Sequence, residues 1–226
     1  MPKETFNNLP DEKRDQILQV AMIEFSDNPY HVASISNIVR KSGIAKGSFY
    51  QYFEDKQDLY RTLLELSMQK KQQLMKQLPT PDPSADLFAY FRWQFLSTVI
   101  FEIRYPLLSQ ISFRAFIEEV PFQEMTEELR RRGTTQFFKQ LISQGALHGD
   151  VAVWVDPDVA AFLLETVFYQ FGKYFINRLG LSEDDDLDMR IFQNEEAQYL
   201  LNNLMDILEA GLKREASQRR TYFNKE

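Results

Sequence analysis

The sequence predicts an all-α fold, and three observations carry that prediction. Glycine is scarce, 8 in 226 residues. Apolar residues recur at the three-to-four spacing of a helix face and not in alternation. Prolines stand at the start of apolar stretches or in the gaps between them, where a helix tolerates them.

Taken in order, the first helix runs from about Pro10 to Phe25, with Asp11 and Glu12 favourable at the positive end of its dipole and Ile17, Ala21 and Phe25 on one face. "SDNPY" ends it. A short helix begins at Ser34, whose hydroxyl is expected to cap it, and stops at Gly43, a residue suited to a left-handed cap. A second short helix runs from Ala45 to Tyr52. Asp55 then caps a long helix that ends at "LPTPDPS". Further helices are predicted over Ser84–Arg104, Pro106–Glu119 and Pro121–Leu147, followed by the connector "HGDVAVWVD". From Asp156 to Leu179 the chain is apolar on almost every face, and a last helix from about Asn194 to Ala216 carries Leu200, Leu201, Leu204, Leu208 and Leu212 as a stripe.

Composition narrows the function. Cysteine is absent, which excludes disulfides, thiolate metal sites and cysteine nucleophiles and suits a reducing compartment. The N-terminus lacks the apolar run of a signal peptide and no segment has the length to span a bilayer, so a cytoplasmic location with no membrane partner is expected. His31 and His148 are isolated, and no nucleophile elbow, phosphate loop or dinucleotide fingerprint occurs. Asp184, Asp186, Asp188 and Glu195 are spaced somewhat like a calcium loop, but Met189 stands where the sharp turn needs glycine. No enzyme, cofactor or metal is expected. The net charge of -7 argues against wholesale coating of nucleic acid. Yet from Pro29 to Phe53 the chain carries Arg40, Lys41 and Lys46 and no acid, a basic island in an acidic protein.

That island contains "SGIAKGSFYQYFEDKQDLY", residues 42–60. Two short helices joined by a glycine turn, with small residues leading and aromatics behind, match a helix-turn-helix. Ser34, Ile38, Ser42 with Gly43, Ile44, Gly47 with Ser48, Phe49 with Tyr50, Tyr52 with Phe53, and Lys56 with Leu59 resemble the DNA-binding domain of the TetR family of bacterial transcriptional regulators. Val39 departs from the family's usual alanine. The resemblance covers about residues 10–65.

The resemblance implies an N-terminal three-helix DNA-binding domain over residues 1–55, joined by a long helix to a larger helical effector-binding and dimerisation domain over residues 56–226. It implies a homodimer on a palindromic double-stranded DNA operator. Phosphate contacts would come from Ser34, Ser36, Tyr50 and Lys56, since hydroxyls, helix starts and lysines suit phosphate oxygens. Base reading would fall to Ala45, Lys46, Ser48 and Gln51: lysine prefers guanine acceptors, glutamine pairs with adenine and an alanine methyl packs on thymine.

The second domain is expected to bind a hydrophobic small-molecule effector, with Phe91, Gln94, Phe95, Phe113, Phe137 and Phe168 lining the pocket. The apolar 156–179 helix and the last helix would pair with their symmetry mates through Phe162, Thr166, Gln170, Leu204 and Leu208, with Gly172 allowing close approach. The same residues could instead fill a monomer core. Repression released by a lipophilic or aromatic ligand is the functional expectation, and the alternative is a small-molecule-binding or catalytic helical protein that no longer binds DNA.

Overall fold

The computed structural model describes residues 2–82, 86–117, 134–181 and 194–213. Every regular element among them is a helix: α1 Glu4–Asn7, α2 Asp11–Asp27, α3 Ile35–Ser42, α4 Lys46–Tyr52, α5 Lys56–Gln77, α6 Leu87–Arg104, α7 Pro106–Ile117, α8 Thr134–His148, α9 Pro157–Leu179 and α10 Glu195–Lys213. They form two compact units, one with α1–α5 and α7, the other with α6 and α8–α10.

In the first unit the α2 register follows the sequence pattern. Ile17, Ala21 and Phe25 are fully buried, and α2 meets α3, α5 and α7. Phe25, Tyr30 and Tyr60 form an aromatic trio, with Tyr60 edge-on to the other two rings at 4.9 and 5.1 Å. Such pairs contribute about 0.5–1.5 kcal/mol each beyond their burial. Tyr60 Oη donates to the Ile111 carbonyl of α7 at 3.3 Å, and the hydroxyls of Ser67 and Ser112 share a hydrogen bond of 2.7 Å. The unit therefore extends past residue 55 through the whole of α5, whose Leu59, Tyr60, Leu63 and Leu64 are buried. Asp55 caps α5, accepting from the Asp58 N–H at 2.8 Å, while the Asp58 carboxylate accepts from the Glu54 N–H at 3.1 Å. The helix α1 has no counterpart in the sequence reading, because four residues are too few to show a period.

In the second unit α6 packs on α9 and α9 on α8. Phe95 stands among Phe168, Phe171 and Phe175 of α9, with centroids at 5.7, 5.5 and 5.7 Å. Gly172 differs from its expected role at a dimer seam. It lets α9 approach α6, since a Cβ there would lie 3.2 Å from the Glu102 carboxylate. The helix ends obey local chemistry. The Asp156 carboxylate accepts from the N–H groups of Asp158 and Val159 at 2.9 and 3.0 Å, Pro157 occupies the first turn, and Gly180 closes α9 at φ 63°. Asn194 caps α10 through the N–H groups of Glu196 and Ala197.

The helix predicted from Pro121 is described only over its α8 portion. Residues 118–133, the acidic stretch holding Asp184, Asp186, Asp188 and Met189, and residues 214–226 lie outside the described residues. Among the described residues no helix is long and apolar enough to cross a membrane, and no group of three His, Cys, Asp or Glu could hold a metal.

Candidate nucleic-acid interface

The α3–α4 turn is built by backbone chemistry. Gly43 adopts φ 63° and ψ 35°; its N–H donates to the Arg40 carbonyl and the Ile44 N–H reaches back to Val39 at 3.2 Å. This paired closure is the Schellman motif, and the glycine meets its positive φ without steric cost. Ser42 is small and fully buried, and its hydroxyl donates to the Ile38 carbonyl at 2.7 Å. Lys13 of α2 places its ammonium 3.0 Å from the Ser42 carbonyl, a favourable charge at the negative end of α3.

Helix α4 presents one face outward. Ala45, Lys46, Gly47, Tyr50 and Gln51 are exposed, Tyr50 by 45 %, whereas Phe49 and Phe53 behind them are fully buried. Of the four residues assigned to base reading, Ala45, Lys46 and Gln51 lie on this surface, and Ser48 is half-buried at its edge. A Cβ at Gly47 would meet nothing within 4 Å, so the small residues leave room for another molecule's surface.

Two of the four phosphate assignments are more involved than expected. The Ser34 hydroxyl makes no cap bond. The Ser34 N–H instead donates to Glu24 Oε1 at 3.1 Å, and the Asn37 side-chain amide donates to the same oxygen at 3.1 Å. Glu24 thus caps α3 from a different helix, leaving the Ser34 hydroxyl for other use, and the exposed Ser36 lies two residues on. Lys56 donates to the carbonyls of Tyr30 and Ala33 at 2.8 and 2.9 Å and sits 4.6 Å above the Tyr30 ring. It ties the start of α5 to the α2–α3 connection, and burial lowers its pKa. These carbonyls take two of its three N–H donors.

Glu24 is the residue sequence reading missed. It is only 2 % exposed and its second oxygen lies 3.5 Å from Lys41. Burial pushes its carboxyl up, but the hydrogen bonds from Asn37 and Ser34 and the Lys41 charge outweigh that and hold it below the ordinary value. The signal was present: Glu24 stands seven residues after Ile17 and three after Ala21, at a core register position.

The residues assigned to a ligand pocket and a dimer seam distribute unevenly. Phe91, Phe95 and Phe168 are buried against one another and Phe138, with centroids 5.4–6.3 Å apart. Phe137 packs on Tyr90 at 5.7 Å. Gln94 is buried, and neither its Oε1 nor the neighbouring Trp93 Nε1 has a hydrogen-bond partner among the described residues. Phe113 lies on α7, which belongs to the first unit. On α9, Phe162, Thr166 and Gln170 are exposed together with Val159, Leu163 and Tyr174. Leu204 is 7 % exposed and points into its own unit, and Leu208 is half-buried. The exposed apolar residues of α10 are Tyr199 and Ile207.

Residues 17–63 match the family described as bacterial regulatory proteins, tetR family, and residues 85–213 match the tetracyclin repressor-like C-terminal domain. The chain belongs to the TetR family. A solved TetR family transcriptional regulator from Chloroflexus aurantiacus J-10-FL is 38 % identical, over 95 % of this chain and 99 % of that one, with a TM-score of 0.81. The HTH-type transcriptional activator FasR of Mycolicibacterium smegmatis is 40 % identical over 60 residues, 26 % of this chain, and the match spans 27 % of FasR. The fatty acid metabolism regulator protein of Bacillus subtilis is 21 % identical over 151 residues, 64 % of this chain and 74 % of that protein. The family match over residues 17–63 includes all of α3 and α4.

Proposed function

We propose that this TetR protein is a homodimeric, ligand-responsive repressor that binds a palindromic operator through α3 and α4 and leaves it on binding a lipophilic or aromatic small molecule. The observation that carries the reading is the outward face of α4: Ala45, Lys46, Tyr50 and Gln51 exposed, a turn of small residues in front, and Phe49 and Phe53 buried behind. Lys46 and Gln51 supply base-edge chemistry, while Ser34, Ser36, Tyr50 and the start of α5 at Lys56 supply phosphate contacts. The aromatic interior of the second unit and the Gln94 Oε1, which has no hydrogen-bond partner among the described residues, support an effector that is mostly apolar with a hydrogen-bond donor. The similarity to a regulator of fatty acid metabolism agrees with that class.

Selection of duplexes from a random-sequence pool at two salt concentrations tests the DNA half of the proposal. A palindromic consensus bound less tightly at higher salt is expected, because counterion release dominates phosphate affinity. In that consensus Gln51→Ala should change which bases are preferred at one position of each half-site. A chain that recovers no sequence-selective duplex would instead be a helical small-molecule protein. Acyl chains and aromatic acids added to the complex test the second half: a compound that raises thermal stability is expected to lower affinity for the selected duplex, and the duplex to lower affinity for the compound by the same factor.

A further inference from the structure

We infer that residues 3–6 are a clamp that holds the C-terminal end of the reading helix in its DNA-competent form. The inference rests on the proposal that α4 reads DNA. An α-helix leaves its last four carbonyls without intrahelical partners, and for the seven-residue α4 these are most of its backbone acceptors. Each of the four has a partner. The Phe49 carbonyl accepts from the Phe53 N–H at 2.8 Å. The other three are met from the N-terminal segment: Tyr50 by Lys3 Nζ at 2.8 Å, Gln51 by the Thr5 hydroxyl, and Tyr52 by the Lys3 backbone N–H at 2.8 Å.

Charge and packing reinforce these bonds. The Lys3 ammonium stands at the negative end of the α4 dipole, where a cation is stabilising. Phe6, 2 % exposed, anchors the segment with its ring 4.7 Å from Phe53 and 5.9 Å from Tyr52. A two-turn helix has little stability of its own, since nucleation consumes much of what its few hydrogen bonds return. Neighbours must therefore hold Tyr50 and Gln51 at the angle at which they meet DNA. Residues 3–6 lie outside the stretch that matches the TetR DNA-binding domain, which begins at residue 17.

The test compares Lys3→Met/Thr5→Val, which removes the two side-chain donors at similar volume, with Lys3→Arg/Thr5→Ser, which keeps them. The probe is a duplex selected from a random pool by the wild-type chain. The first variant should bind it about tenfold more weakly and the second within about twofold of wild type. Amide hydrogen exchange in the free protein should quicken at Gln51, Tyr52 and Phe53 in the first variant only, with the melting temperature of the second unit unchanged. The dependence of affinity on salt should keep its slope; a slope smaller by about one would make Lys3 a phosphate contact and overturn the positioning role. Unchanged exchange, or unchanged affinity, overturns the clamp while leaving the DNA-binding proposal standing. A wild-type chain that selects no duplex removes the DNA-binding proposal and the clamp together.

Discussion

A single carboxylate organises the entry to the reading motif. Glu24 accepts from Ser34 and Asn37 and pairs with Lys41, so one α2 side chain holds both ends of the first α3 turns. Its pKa is lowered in the folded state, which means the charged form is favoured by folding. The stabilisation is therefore complete above the unfolded pKa and is lost as pH falls through the folded one. Glu24→Gln is expected to cost about 1–2 kcal/mol at neutral pH, because a buried acceptor set loses its charge. The gap from wild type should close as the pH is lowered below the ordinary carboxylate value of 4.5 and through the lower folded one. Urea melts across that range check it, and a gap independent of pH would show that Glu24 acts by shape alone. The register position of Glu24 is legible in the sequence. Its partners are not, since no local rule pairs an α2 acid with the N–H of a residue ten positions on.

At the scale of elements, the turn between α3 and α4 was readable because its chemistry is local. Gly43 must take a positive φ, and a Cβ there would meet nothing within 4 Å, so Gly43→Ala isolates the backbone cost of about 1 kcal/mol. Gly145 is the contrasting case: its φ is ordinary for α8, but a Cβ would fall 2.7 Å from Leu87 and 3.0 Å from Val151. Gly145→Ala must displace the tips of the buried Leu87 and Val151 side chains and should cost more than Gly43→Ala. Chemical denaturation of the two variants side by side decides it, and the reverse order would contradict the packing argument. Local reasoning failed where a residue of another helix meets the helix start. Ser34 looked like a hydroxyl cap by type and position, yet its hydroxyl makes no cap bond, and its own N–H is met by Glu24 of α2. The α1 segment escaped notice for a related reason, since its role lies in carbonyls of α4 some 46 residues away in sequence.

For the whole molecule, assembly is the property that follows from surfaces. Val159, Phe162, Leu163 and Tyr174 of α9 and Tyr199 and Ile207 of α10 are exposed apolar groups, and the proposed dimer seam is assigned to them. Phe162→Glu/Ile207→Glu is expected to yield a folded monomer in sedimentation runs at micromolar concentration. It should also lose affinity for a palindromic duplex, because two reading helices bind one DNA face only when held about 34 Å apart or a multiple of that. Leu204→Glu should instead lower stability, as it buries a charge in the unit's own core. A double variant that stays dimeric would place the seam elsewhere. The amino-acid sequence by itself determined the all-α class, the helix-turn-helix with its glycine turn and aromatic backing, the cap at Asp55, and helix starts near Asp156 and Asn194. Those features depend on residues within a few turns of one another, and helical periodicity and capping act at that range. Tertiary structure alone decided which face of α10 is buried, that Gly172 serves α6, that Phe113 belongs to the first unit, and that Glu24 and residues 3–6 hold the reading motif from outside it. Each of these depends on which elements meet, and apolar helices with more than one coverable face do not record that choice in their spacing.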